Sequence, residues 1–126
     1  MQRVRGIGGV FFRSADPSRL AEWYAKHLGV ELEPYGGATF RSQAEQVTIW
    51  APMQHDTDYF GQSGQSMMLN YIVDDIDAVH AELLAAGVEV DENIADSEHG
   101  RFTWAVDCDG NRFELWQPPP GRYPEG

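Results

Sequence analysis

Hydrophobic and polar positions alternate most clearly near the end of the chain. In Arg112-Phe113-Glu114-Leu115-Trp116, Phe113 and Leu115 fall on one strand face, and Arg112, Glu114 and Trp116 fall on the other. Asp109-Gly110-Asn111 precedes this run, and Arg101 to Asp107, rich in β-branched and aromatic residues, lies before that. Gly and Asn tolerate positive φ, so the pattern predicts an antiparallel hairpin with Glu114 in mid-strand. Upstream the period changes. Leu20, Trp23, Tyr24 and Leu28 recur at helical spacing, with Asp16-Pro17 as a start signal and Gly29 as a stop. Val79, Leu83 and Leu84 mark a second helix, opened by Asp74-Asp75 and closed by Gly87.

Arg5 to Arg13, Val30 to Leu32, Ala38 to Arg41, Val47 to Trp50, Met67 to Val73 and Val88 to Val90 read as further strands. The order is strand, helix, three strands, run twice. Thr48-Ile49-Trp50-Ala51-Pro52 has the layout of Glu114-Leu115-Trp116-Gln117-Pro118, and Val30-Glu31-Leu32 that of Val88-Glu89-Val90. This predicts an α+β fold of two βαβββ repeats, residues 5–53 and 67–118, curving into a pseudo-symmetric half-barrel cup. Residues 54–66 form a connecting loop and 119–126 an extended tail. Tyr59 and Phe60 are too apolar for a mere linker, which suggests a binding loop or lid, or a segment tucked against a partner subunit.

The 126 residues suit one domain with an ordinary core. Twenty acidic and nine basic residues give a formal net charge of −11, a field that repels phosphate backbones and anionic lipid. Neither nucleic-acid nor membrane binding is expected. No signal peptide or membrane-spanning run is legible. Cys108 is the sole cysteine and has no internal partner, so a cytoplasmic, reducing setting is the expectation. Flanked by Asp107 and Asp109, its thiol is disfavoured as a nucleophile.

The chain resembles the vicinal oxygen chelate superfamily, which includes glyoxalase I, extradiol dioxygenases and bleomycin-binding resistance proteins. The resemblance rests on Ser14-Ala15-Asp16, the helix end Trp23 to Val30, Val73-Asp74-Asp75-Ile76-Asp77-Ala78, Ala85-Ala86-Gly87-Val88 and the ending Asp107 to Pro118. In metal-using members, His and carboxylate ligands come from four strand positions that face the cup. By position these fall on Gly9, Thr48, Met68 and Glu114 (Met67 in place of Met68 if the register slips by one). Only Glu114 suits a divalent cation, so the usual metal site is expected to be absent and no cofactor is implied. His27, His55, His80 and His99 lie in a helix's last turn, on a helix or in loops, and do not replace it.

The alternation places Phe11, Arg13, Thr48, Trp50, Met68, Asn70, Ile72, Arg112 and Trp116 around Glu114, with Trp104 beside them if its register permits. Such a lining fits a small, partly aromatic ligand. The competing reading is core or dimer packing for Trp50, Met68 and Trp116, because the family usually pairs subunits and a homodimer is expected. Buried among Phe11, Met68 and Trp116, Glu114 would be a candidate general base next to a substrate carbonyl; paired with Arg13 or Arg112, it would be structural. Three functions follow: a metal-free binder of small molecules, a lyase or isomerase with Glu114 as base, or an enzyme in which Glu114 helps hold a divalent metal.

Overall fold

A computed structural model describes residues 7–41, 43, 44 and 46–120. Helix α1 spans Pro17–Leu28, with Pro17 in the first turn and Asp16 accepting from the Arg19 N–H at 3.2 Å. It stops at Gly29, whose φ of 66° is the left-handed conformation that ends helices. Strand β1 (Asn70–Ile72) leads to α2 (Ile76–Ala85), which is capped by Asp75 through the Ala78 N–H at 3.1 Å. Strands β2 (Ala95–Ser97), β3 (Gly100–Val106) and β4 (Arg112–Gln117) complete a four-stranded sheet in the order β1-β4-β3-β2. β1 runs parallel to β4, and the other two pairings are antiparallel.

One face of this sheet packs on the helices. Phe113 and Leu115 of β4 and Ala105 of β3 are buried with Leu20 and Tyr24 of α1 and Ile76 and Leu83 of α2. Edge-on ring contacts join Phe113 to Trp23 at 6.0 Å and to Tyr71 at 5.6 Å. The opposite face carries Asn70, Ile72, Phe102, Trp104, Arg112, Glu114 and Trp116, as strand alternation requires.

The segment expected as the second repeat is thus a βαβββ module, with two adjustments. Val88 to Val90 is reduced to a single bridge from Val90 to Ala105, and the edge strand is Ala95–Ser97 instead. The expected strand from Met67 begins at Asn70, because the Gln65 side-chain amide takes over the backbone groups of Arg112 that a longer β1 would pair. The Arg112 N–H donates to Gln65 Oε1 at 2.8 Å, and Gln65 Nε2 donates to the Arg112 carbonyl at 2.8 Å.

The first repeat departs further from expectation. Residues 7–13, 30–32, 38–41 and 47–50 form no ladder among the described residues, so α1 is that repeat's regular element. β-branched and aromatic content favours a strand only where a neighbouring strand accepts its hydrogen bonds, and among the described residues these segments have none. Arg5, Gly6 and tail residues 121–126 lie outside the described residues.

Candidate functional site

Glu114 sits at the middle of the helix-free sheet face and is only 6% exposed. Register places Asn70 of β1 directly beside it on one flank and Trp104 of β3 on the other. Both neighbours donate to it: Asn70 Nδ2 to Oε1 at 2.6 Å and Trp104 Nε1 to Oε2 at 2.8 Å. A third donor, the Tyr59 hydroxyl, reaches Oε2 from the 54–66 segment. The buried acid is therefore satisfied by three neutral donors, each from a different part of the chain.

Tyr59 packs edge-on against Trp104, with centroids 6.0 Å apart and planes at 87°. Burial, reinforced by the bond to Glu114, pushes the Tyr59 hydroxyl up to about 12. Arg112 lies 5.5 Å over the Trp104 ring and donates from Nε to the Tyr59 carbonyl at 3.3 Å. Its ion pair is with Asp91, at 3.7 Å, so the arginine closes the rim instead of neutralising Glu114.

Among the expected site residues, the structure brings Asn70, Arg112 and Trp104 to Glu114. Ile72 and Trp116 share the face, but Trp116 is engaged further along: it lies parallel to Phe102 at 6.1 Å and donates to the His99 carbonyl at 2.8 Å. Met68 is half-buried just ahead of β1. Thr48 is exposed, as are Phe11 (94%) and Trp50 (76%), on segments that pair with no strand among the described residues. Arg13 lines a shallow cleft with Ser14, Ala15, Asp109 and Asn111, where the Ser14 hydroxyl donates to Asp109 at 2.6 Å. Tyr59 is the site residue that the alternation of strands does not reveal. Its signal in the sequence was an aromatic pair inside a loop otherwise rich in Gly, Gln, Ser and Asp.

The positions corresponding to family metal ligands do not fit a hard or borderline cation. Gly9 offers no side-chain donor and Thr48 is exposed; Met68 is a thioether, and both Glu114 oxygens already accept N–H or O–H donors. No group of three or more His, Cys, Asp or Glu side chains is gathered as a metal set among the described residues. His27 packs on Trp23 at 4.8 Å, His80 Nε2 lies 2.6 Å from the Asp91 carbonyl, His99 faces Glu98 at 3.5 Å, and His55 is exposed. Burial first, and then Asp109 and Asp107, raise the Cys108 thiol against the opposing pull of Arg19.

The family model for the glyoxalase-like domain matches residues 9–116. The chain belongs to that family. Its place is within the vicinal oxygen chelate superfamily, and its α+β fold is glyoxalase-like. Among solved structures it is similar to TnmS3, an antibiotic-binding protein from Streptomyces sp. CB03234, at 26% identity over 83% of this chain and 88% of that one, with a TM-score of 0.52. A glyoxalase/bleomycin resistance protein from the same organism is also 26% identical, over 82% of this chain and 92% of that one, with a TM-score of 0.50. A glyoxylase/bleomycin resistance protein/dioxygenase domain from Frankia sp. EAN1pec shares the fold at 14% identity, over 93% of this chain and all (100%) of that one, with a TM-score of 0.55. No curated protein matches the glyoxalase-like chain. No helix among its described residues is long and apolar enough to cross a membrane.

Proposed function

We propose that this glyoxalase-like protein binds a small, partly aromatic organic molecule on the sheet face around Glu114, without a metal ion. One observation carries the reading: Glu114 is held as an acceptor by Asn70, Trp104 and Tyr59, beside aromatic surface. A carboxylate held among N–H and O–H donors is arranged as an acceptor for a donor group. It is less well arranged to take a proton from carbon or to enter a coordination sphere. The likeness to an antibiotic-binding protein supports the same reading.

In this proposal, residues 7–13 and 47–50 supply a second wall of the cup. They bring Phe11, Arg13, Thr48 and Trp50 to the ligand when two copies of the chain pair. The exposure of Phe11, Phe12, Ile49 and Trp50 favours such a covered state.

The test is titration with a panel of aromatic and heterocyclic compounds, read by calorimetry and by the Trp104 indole N–H resonance, which Trp104→Phe assigns. Saturable, stoichiometric binding that leaves the compound unchanged and persists in chelator is expected. Catalytic consumption of the compound, or a transition metal in stoichiometric amount in protein purified without a histidine tag, would overturn the proposal.

A further inference from the structure

Three groups complete the shell of Glu114, and they differ in how they are held. Asn70 and Trp104 belong to the strands that flank β4, so their N–H groups are fixed by the sheet. Tyr59 belongs to a segment with neither helix nor strand, tied down beyond its own hydroxyl chiefly by the Gln65 amide and by Arg112. Tyr59 is 37% exposed as a residue, although its hydroxyl reaches the buried Glu114. The sheet therefore presents a buried acceptor, two fixed donors and an aromatic wall at Trp104, and the chain fills the remaining position with a phenol.

We infer that Tyr59 stands in for the ligand: the molecule bound at this site is a hydroxylated aromatic whose O–H takes the place of the Tyr59 hydroxyl on Glu114 Oε2. The inference rests on the binding function proposed above and names its ligand class. Asn70 Nδ2 and Trp104 Nε1 can only donate, so Glu114 must accept from both, and the third partner must again be a donor. An ether, nitro or carboxylate group in that position would leave a buried carboxylate lone pair facing another acceptor, a mismatch that costs far more than a lost contact. A phenol meets both demands, because its ring lies edge-on to Trp104 as Tyr59 does and its hydroxyl donates. Tyr59 is then a specificity-determining residue. Compounds that cannot outcompete it are excluded, and the 54–66 segment is displaced only by those that can.

The experiment uses p-cresol, the side chain of tyrosine as a free molecule, and its methyl ether, with wild-type protein, Tyr59→Ala and Tyr59→Phe. Binding is followed by the Trp104 indole N–H resonance. p-Cresol is expected to bind Tyr59→Ala at least about tenfold more tightly than wild type, and its methyl ether at least about tenfold more weakly than p-cresol in the same variant. Tyr59→Phe keeps the ring and the packing. It guards against a misfolded alanine variant, and because its ring has lost the bond to Glu114 and is displaced more easily, it should bind p-cresol more tightly than wild type but less tightly than Tyr59→Ala. Equal affinity for p-cresol and the ether, or equal affinity of all three proteins for p-cresol, overturns the inference. If aromatics without a hydroxyl shift Trp104 as strongly, the binding function stands and the role of Tyr59 falls. If no aromatic shifts it in any of the three proteins, both fall.

Discussion

The Tyr24 hydroxyl donates to Asp107 Oδ2 at 2.6 Å, joining the middle of α1 to a hairpin 83 residues further along the chain. Asp107 also accepts from the N–H groups of Asp109 at 2.9 Å and Asn111 at 3.0 Å, and from Asn111 Nδ2 at 3.0 Å. One buried carboxylate thus shapes the turn that aligns β3 with β4 and also anchors α1. Asp107→Ala leaves four donors without their acceptor, so urea denaturation should show a loss of about 3 kcal/mol. A loss below about 0.5 kcal/mol, the range of ordinary surface substitutions, would show that the hairpin is held by its backbone alone.

Gly100 opens β3 at a φ of +118°, a conformation that side chains rarely adopt. A Cβ there would also lie 2.7 Å from Trp116 Nε1 and press on the Gln117 backbone. Gly100→Ala should therefore destabilise the protein by roughly 3 kcal/mol and disturb the Trp116 bond to the His99 carbonyl. Thermal unfolding together with the Trp116 indole resonance checks both effects. Gly110→Ala is the control: it has a similar positive φ of +84° but nothing within 4 Å of the added carbon, and should cost less.

Alkaline pH should loosen the same structure. Burial raises the hydroxyls of Tyr24, Tyr59 and Tyr71 above their ordinary value near 10, Tyr59 to about 12. A folded-state value above the unfolded one gives stability that is complete below the unfolded value and is lost as pH rises through the folded one. The unfolding free energy should therefore hold steady up to about pH 10 and then fall through the range in which Tyr59 ionises. Chemical denaturation across that range, with phenolate absorbance as the marker, measures it. Tyr59→Phe should remove the part of the decline that belongs to the site.

Much of this architecture is legible in the sequence alone. Asp16-Pro17, Gly29, Asp75 and Gly87 mark helix ends through local chemistry, and Asp109-Gly110-Asn111 marks the hairpin, so neither depends on distant contacts. Glu114 and Asn70 were legible as face-sharing positions because strand period is local too. Tyr59 was not, since nothing in a loop's own residues says which buried acceptor its hydroxyl will meet. Residues 7–13 and 47–50 fail for the opposite reason: their composition favours a strand, but a strand is completed by its partner, and no segment among the described residues pairs with them. The early end of β1 has the same origin, because a glutamine side chain can imitate a peptide group.

That imitation gives the most direct handle on the 54–66 segment. Gln65 Nε2 donates to the carbonyls of both Arg112 (2.8 Å) and Met67 (2.9 Å), while Oε1 accepts from the Arg112 N–H (2.8 Å) and from Ser63. Leucine has a similar volume but can make none of these bonds, so Gln65→Leu leaves the first N–H and C=O of β4 unpaired on that side. A loss of about 1–2 kcal/mol in global stability is expected. The local effect should be larger: the segment carrying Tyr59 would keep only Arg112, the Trp104 ring contact and the Glu114 bond among the contacts described above. Limited proteolysis should then cut within residues 54–66 faster than in wild type, while cleavage elsewhere changes only as far as global stability does. Unchanged cleavage in that segment would mean that Tyr59 on Glu114 anchors it, with Gln65 contributing little.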